Sequence, residues 1–399
     1  MKRAAHAPED ELARLEAAQL RRHRLTVEGF AAGSSRARLV LGGRTLIDFS
    51  SNDYLSLARH PQLAEAMSAS ARAAGAGSAA SHLVSGHGTE HERLEEELAA
   101  FTRRERALLF STGYMANLAV MGALAGRGER VLLDRLAHAS LIDGARLSGA
   151  ELARYAHADA AAAGRALAAD AAHTVAVATD GVFSMDGDLA PLAQLAQLAR
   201  GADAWLVVDD AHGLGVVGAS GRGTLEESGV NAADVPVLIG TLGKAFGCFG
   251  AFVAGEAALI ELLMQKARSY IYTTALPQPV AAASRKALEL IQSESWRRTR
   301  LASLIERFRR RARDAQVPLG RSPTPIQPIV LGSEGAVLGA QRELEAAGLL
   351  AVAIRPPTVP KGTARLRVTL TAAHTEEEID RLAEALGHAC ARLRQTGAA

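Results

Sequence analysis

From residue 106 onward, short apolar runs alternate with stretches whose apolar positions recur every three or four residues. The runs Arg106–Phe110, Val131–Asp134, Thr174–Thr179, Trp205–Asp209 and Val237–Thr241 have the length and composition of buried strands, and the periodic stretches between most of them read as helices. Such alternation predicts an α/β fold, a mainly parallel sheet flanked by helices. Upstream, residues 11–24 set Leu12, Leu15 and Leu20 among charges, a helix ending in the basic cluster Arg21-Arg22-His23-Arg24. Thr45–Phe49 predicts a short strand, and Pro61 opens a helix carrying Leu63, Ala66 and Met67. Thr89-Glu-His-Glu92 fits a capping box ahead of Leu94, Leu98 and Phe101. Residues 75–88, rich in Gly, Ser and Ala, are too poor in large apolar side chains to form an element and read as a functional loop. Beyond the lysine-bearing strand, Ala251–Ala254 predicts a further strand, Arg268–Pro277 an irregular polar crossing, and 279–315 a long helical stretch. Strands near 327–331, 350–354 and 364–370 and a helix capped at Thr375 then predict a smaller α+β C-terminal domain. The expected division is an N-terminal helical segment at 1–50, a large domain at 51–285 and a small domain at 286–399.

Composition narrows the function classes. With 399 residues, 48% of them hydrophobic, the chain can bury a large core. Basic and acidic residues nearly balance, 45 against 43, and no lysine/arginine block is interleaved with aromatics, so a nucleic-acid partner is not expected. Cys248 and Cys390 are too few for a disulfide framework or a thiolate metal site. No stretch approaches the roughly 18 apolar residues of a membrane span, and the N-terminus lacks the apolar core of a signal peptide, so a cytoplasmic protein without a membrane partner is expected.

In open sheets of this kind, ligands bind beyond the carboxyl ends of the strands. Those ends deliver Ser111-Thr-Gly113-Tyr114, then His138, then Asp180-Gly-Val-Phe-Ser184, then Asp209-Asp-Ala-His212, then Thr241-Leu-Gly-Lys244. Lysine occurs only five times among the 45 basic residues, and Lys244 alone follows a strand pattern, between Gly243 and Gly247. A lysine in an apolar pocket is a ready nucleophilic amine, so a Schiff base with pyridoxal 5'-phosphate is the leading reading. A phosphate loop fails twice, with Leu238 in place of its first glycine and Ala245 in place of its hydroxyl. Taken singly, each position has a plain alternative: a solvated loop lysine at 244, a structural histidine at 138, a helix cap at Asp209, a turn residue at Ser184 and a core ring at Tyr114. Their convergence on one sheet edge matches what pyridoxal phosphate requires: an amine, a carboxylate for the ring nitrogen, a flat side chain over the ring and a donor bed for the phosphate.

Ser51-Asn-Asp-Tyr-Leu, Ser111-Thr-Gly-Tyr-Met-Ala-Asn, Ser184-Met-Asp-Gly-Asp, Val208-Asp-Asp-Ala-His-Gly and Thr241-Leu-Gly-Lys-Ala-Phe-Gly together resemble the α-oxoamine synthases, pyridoxal-phosphate transferases of the aspartate-aminotransferase fold (fold type I). The resemblance runs from about residue 10 to the C-terminus. Ile354–Val368 resembles the branch that condenses L-alanine with a pimeloyl thioester, of coenzyme A or acyl-carrier protein, in biotin synthesis. The resemblance implies that Lys244 carries the cofactor and moves the Cα proton, that Asp209 holds the pyridine nitrogen and that His138 stacks on the ring. It gives His212 and Ser184 the ring hydroxyl, makes Gly113, Tyr114 and Thr241 cofactor-binding, and sets Asn52 near the reacting centre. Arg22 and Thr358 would touch the acyl substrate, and Arg367, with Arg355 second, the amino-acid carboxylate. It further implies a homodimer with active sites at the subunit interface, Thr273 or Thr274 completing the partner's site, and no metal. The family commonly has two glycines after Gly77-Ser78, where this chain has Ala79 and Ala80.

Three alternatives are weighed against this one. A glycine C-acetyltransferase shares the chemistry but differs most in the 354–368 stretch. A catalytically silent partner subunit is opposed by the retained Lys244, Asp209 and His138, and a dinucleotide-binding oxidoreductase by the lack of Gly-x-Gly-x-x-Gly after the first sheet strand.

Overall fold

The computed structural model describes residues 8–31 and 37–395. Strands β1 (Val27–Phe30), β2 (Arg38–Leu41) and β3 (Arg44–Asp48) come first. They are followed by β4 (Arg106–Phe110), β5 (Arg130–Asp134), β6 (Glu151–Tyr155), β7 (Thr174–Asp180), β8 (Trp205–Asp209), β9 (Val237–Thr241) and β10 (Ala251–Gly255). The last are β11 (Ile326–Gly332), β12 (Leu349–Leu350), β13 (Val352–Ile354) and β14 (Ala364–Thr369). The chain divides into two compact units. One holds the described residues up to 51, with 185–187 and those from 300 on; the other holds 52–184 and 188–299. The sequence set 1–50 apart as helical and began the C-terminal domain at 286; instead β1, β2 and β3 share a sheet with β12.

The 52–299 unit is built on a seven-stranded sheet in the order β4-β10-β9-β8-β7-β5-β6. β9, β8, β7, β5 and β6 run parallel, and β10 is antiparallel to both β9 and β4. Along the central strands alternate residues feed two apolar cores: Val131, Leu133, Ala176, Ala178, Val207 and Ile239 on one face, Leu132, Val177, Leu206, Val208 and Leu238 on the other. Both faces being covered, the strands read as unbroken apolar runs. Gly240 interrupts the run in β9 because a Cβ there would meet Leu214 and Phe252 at 2.5 Å. β6 is absent from the sequence reading; it is an edge strand with β5 as its partner, and its Glu-Leu-Ala-Arg-Tyr composition reflects a half-wet position.

Other expectations are corrected in detail. The first helix covers Pro8–Ala17, so Arg21-Arg22-His23-Arg24 lies beyond it; Gln19 takes a left-handed φ of 57° and ends it. Thr89 does not cap its helix: Gly88 is the cap, and its N–H is taken by His91 Nδ1 at 2.9 Å. The 75–88 loop contains a short π-helical turn, His82–Gly86. Ala79 adopts φ 56°, so alanine keeps the left-handed backbone that glycine would take freely, at a cost of about 1 kcal/mol. The crossing at 268–277 begins with a short helix, Arg268–Ile271, and the long helical stretch breaks at 294–295 into Gln278–Ser293 and Trp296–Asp314. Residues 350–354 belong to two strands in different sheets, β12 beside β3 and β13 beside β14.

In the other unit, β1-β2-β3-β12 and β11-β14-β13 form separate sheets, and the helix Glu376–Gln395 opens on a capping box. Thr375 N–H reaches Glu378 at 3.0 Å while Glu378 N–H reaches Thr375 Oγ1 at 3.2 Å. The helix buries Ile379, Leu382, Leu386 and Cys390 on one stripe.

Glu95, on the helix Thr89–Thr102, accepts the Leu109 N–H at 2.9 Å and so ties that helix to β4. Burial pushes its carboxyl from 4.5 up to about 8, against the pull of that hydrogen bond. The folded chain thus keeps a proton that the unfolded chain releases, and this group costs stability progressively as pH rises from 4.5 to about 8. Glu95→Gln is expected to be near neutral at pH 5 and stabilising at pH 8.5, by on the order of 1 kcal/mol. Urea unfolding at the two pH values checks this; an identical offset at both would contradict a protonated Glu95.

Candidate active site

Lys244 follows β9 in a tight turn closed by the Gly247 N–H on the Lys244 carbonyl at 2.8 Å. Its Nζ is 2.8 Å from His212 Nε2; His212 Nδ1 is 2.6 Å from Tyr54 Oη, and Tyr54 Oη donates to Asn52 Oδ1 at 3.2 Å. One proton arrangement satisfies all three contacts. The tyrosine hydroxyl gives its hydrogen to the amide, so it accepts from Nδ1–H, which leaves the Nε2 lone pair for a hydrogen of the lysine amine. Tyr54 is fully buried and His212 nearly so, which keeps the chain rigid. Asn52 and Lys244 are thereby joined through two intervening side chains.

A second polar chain starts at the end of β8. Asp209 Oδ1 accepts the Ala211 N–H at 3.0 Å and Oδ2 accepts Asn117 Nδ2 at 2.7 Å. Asn117 Nδ2 also donates to Ser140 Oγ at 2.7 Å, and Ser140 Oγ is 2.6 Å from His138 Nδ1. With its oxygen already accepting, the serine hydroxyl donates to Nδ1, so the neutral imidazole of His138 carries its proton on Nε2. Burial lowers the His138 pKa, Lys244 reinforces that shift, and Asp209 opposes it. Asp180, paired with Asp209 across the β7–β8 ladder, is raised well above the usual carboxylate range by burial and then by the Asp209 charge. Its Oδ1 accepts the His138 backbone N–H at 3.4 Å, and its Oδ2 is buried without a hydrogen-bond partner.

Gly113, Tyr114, Asn117, His138, Ser140, Asp180, Ser184, Asp209, His212, Thr241 and Lys244 line one pocket of about 210 Å³. The helix Gly113–Leu124 begins there, capped by Thr112 Oγ1 accepting from Met115 N at 3.2 Å, so its first-turn N–H groups face an anion's side. Tyr114 Oη is held by Asp143, and Thr241 Oγ1 donates to Gly250 O at 3.1 Å while accepting the Gly243 N–H. The donor set fits pyridoxal phosphate: an amine for the aldehyde, a carboxylate for the ring nitrogen, a neutral imidazole, a helix N-terminus with hydroxyls for the phosphate, and an orphaned carboxyl oxygen beside them.

Thr273 and Thr274 lie in the 52–299 unit outside the pocket lining, and Arg22, Arg355, Thr358 and Arg367 lie in the other unit. Arg22 donates to Thr358 Oγ1 at 3.1 Å, and Arg355 donates to the carbonyls of Gln19 and Arg21. Arg367 is buried on β14, donating to Thr369 Oγ1 at 3.1 Å. Three pocket residues had no role in the sequence reading: Asn117, Ser140 and Asp180. Asn117 had a legible signal, a lone amide in an apolar helix, four residues after Gly113 and on its face. Asp180 stood in plain view at the end of β7 without a role, and Ser140 had no signal, because its partners are brought in by the fold.

A family model described as aminotransferase class I and II matches residues 44–386. The 8-amino-7-oxononanoate synthase of Methylococcus capsulatus is 57% identical, over 96% of this chain and 98% of its own. Among solved structures, a serine palmitoyltransferase from S. paucimobilis with a bound PLP–myriocin aldimine is 28% identical with a TM-score of 0.90, over 98% of this chain and 97% of that one. An 8-amino-7-oxononanoate synthase from Francisella tularensis is 31% identical with a TM-score of 0.77, over 88% of this chain and 99% of that one.

Asn117 Nδ2 bonds both Asp209 and Ser140, so Asn117→Ala removes one contact to a carboxylate and one to the serine that orients His138. Hydrogen bonds to charged groups contribute about 1.5–3 kcal/mol, so cofactor affinity should fall roughly tenfold or more. Titration of the apoprotein with pyridoxal phosphate, followed by absorbance, reads this; unchanged affinity would remove Asn117 from the site.

Proposed function

The chain belongs to the class I and II aminotransferase family and, within it, to the 8-amino-7-oxononanoate synthase group, and from that premise we propose that it condenses L-alanine with a pimeloyl thioester, giving 8-amino-7-oxononanoate, carbon dioxide and free thiol in biotin biosynthesis. The observation that carries the reading is the lysine amine held 2.8 Å from His212 in the same pocket as Asp209. Pyridoxal phosphate, when bound, supplies an aldehyde for amines and an electron sink for the charge left at Cα when a proton or a carboxylate departs.

The roles of this chain's own groups follow from their bonding. Lys244 holds the cofactor, yields to the substrate amine and then takes the Cα proton; the His212 Nε2 lone pair orients the amine for both tasks. Asp209, fixed by Asn117 and the Ala211 N–H, would hold the ring nitrogen and, as a carboxylate, favour its protonated form. His138 is neutral with its proton on Nε2, which suits a flat partner to the ring that also donates to the thioester oxygen as the new carbon–carbon bond forms. Of the residues lining the pocket, Gly113, Tyr114 and Thr241 would hold the phosphate, and Ser184 and His212 the ring hydroxyl. Asn52 acts near the reacting centre through Tyr54, Arg22 and Thr358 receive the acyl chain, and Arg367, with Arg355 second, the amino-acid carboxylate, where a bidentate guanidinium is suited. The acyl carrier is coenzyme A or acyl-carrier protein. A homodimer, with Thr273 or Thr274 completing the partner's site, is supported by the large exposed side chains of Val84, Phe249 and Tyr272. Action in the cytoplasm is included in the proposal; no described helix is long and apolar enough to cross a membrane.

Two experiments test these assignments. The purified protein with pyridoxal phosphate should absorb in the visible, lose that band in Lys244→Ala, and release thiol from pimeloyl-coenzyme A only with L-alanine. A colourless protein would overturn the class, and release from acetyl-coenzyme A with glycine alone would transfer the chain to the glycine C-acetyltransferases. His138→Ala should still take up L-alanine, seen as a spectral change, yet release thiol roughly 100-fold more slowly, within the range for a lost donor to a developing oxyanion. Normal turnover in that variant would sink the role given to His138.

A further inference from the structure

Three histidines in the 82–91 segment are not among the residues lining the pocket. One ring nitrogen from each of His82, His87 and His91 lies within 4.8 Å of the other two. His82 Nδ1 is 2.9 Å from His87 Nδ1. The far nitrogens of the other two rings are engaged elsewhere: His87 Nε2 meets the Glu92 carboxylate at 3.0 Å, and His91 Nε2 meets the Leu276 carbonyl. Both of those oxygens are acceptors, so each Nε2 carries a hydrogen and each Nδ1 presents a lone pair. An imidazole that ligates through one nitrogen and donates through the other to a carboxylate or carbonyl is the usual arrangement at a metal site.

His82 and His91 are both buried, which fixes the two rings in place. His82 is further held by stacking on Tyr270, centroids 5.0 Å apart and planes 9° from parallel. His87 is 25% exposed and gives an entrance. Tetrahedral zinc with Zn–N bonds of about 2.0–2.1 Å separates ligand nitrogens by roughly 3.3 Å, so the 2.9 Å pair must open by only a few tenths of an ångström. Ligation by His91 Nδ1 replaces its contact with the Gly88 N–H. A second grouping, His87 with Glu92 and Glu95, competes less well, because burial holds Glu95 protonated and its oxygen already accepts the Leu109 N–H.

We propose that His82, His87 and His91 bind one divalent ion of the zinc class through three imidazole nitrogens, with water in the fourth position. Imidazole ligands suit zinc, nickel and copper, and the chain offers no thiolate here. The bound ion joins the π-helical turn to the first turn of the Thr89–Thr102 helix and, through His91, to the segment around Leu276. It therefore stabilises this corner of the 52–299 unit.

The test uses holoenzyme without a polyhistidine tag, dialysed against a chelator and titrated with zinc chloride by calorimetry and with cobalt chloride by visible absorbance. The expected result is one ion per chain, cobalt bands of a four-coordinate nitrogen-rich site, and a rise in Tm with zinc. Glu92→Gln, on an exposed side chain that touches His87 from behind, should weaken zinc roughly 10- to 100-fold while leaving the metal-free Tm unchanged. His87→Gln should abolish the cobalt bands. Absence of stoichiometric binding by the wild type, or equal binding by both variants, overturns the proposal. Thiol release measured on the metal-free enzyme reports separately on the condensation reaction, so failure of one reading is distinguishable from failure of the other.

Discussion

Asp180 and Asp209 are neighbours across the β7–β8 ladder, and two carboxyl groups at the same depth of one sheet edge cannot both carry charge cheaply. Much of the pocket is arranged around that constraint. Asp209 receives the donors, an amide hydrogen from Asn117 and the backbone of Ala211, whereas Asp180 receives a long contact from the His138 backbone and keeps an unpaired oxygen. The environment thus treats two chemically identical groups differently, giving the hydrogen bonds to Asp209 and holding the Asp180 carboxyl well above the usual carboxylate range. His138 inherits its tautomer from the same network, since the serine that orients it is itself held by Asn117.

The strands were legible because both faces of the central sheet are buried, which turns them into apolar runs, and the strand ends were legible because polar residues stop those runs abruptly. Lys244, Asp209, His138 and His212 announced themselves in this way. What could not be read was anything that depends on two distant segments meeting. β6 escaped because an edge strand has no need of an apolar sequence; Ser140 escaped, and Asp180 was seen at its strand end without a role, because their meaning lies in a neighbour 23 to 29 positions away or across a ladder. The Thr89 cap failed for a more local reason: His91 supplies the acceptor for the Gly88 N–H, so a ring took a place that the pattern assigned to a hydroxyl and a carboxylate.

Behind the pocket, His157 joins the carboxylates of Asp134 and Asp188 at 3.0 and 2.9 Å and sets its ring edge-on against Phe183, centroids 4.3 Å apart. Burial works against charge on this ring, but the two carboxylates outweigh it and raise the pKa to about 10. A charged clamp of this kind ties the end of β5, from which His138 emerges, to the loop after β7 that carries Ser184. Two loops of the pocket are therefore joined by a half-buried cation that is not among the residues lining it.

The single antiparallel strand has a consequence for how the chain is made. β4 pairs with β10 and with no other strand of its sheet, and the helix Gly113–Leu124, whose first turn lines the pocket, follows directly from β4. A ribosome delivers residue 110 long before residue 251, so throughout that interval β4 has no strand to bond. Its apolar side chains and the Leu109 N–H can be served early by the helix Thr89–Thr102, through Glu95, but the main-chain groups that pair with β10 must wait. Assembly of the cofactor cradle is consequently a late event in synthesis, and a nascent chain released before β10 would present an open, apolar strand edge of the kind that chaperones hold and aggregates recruit.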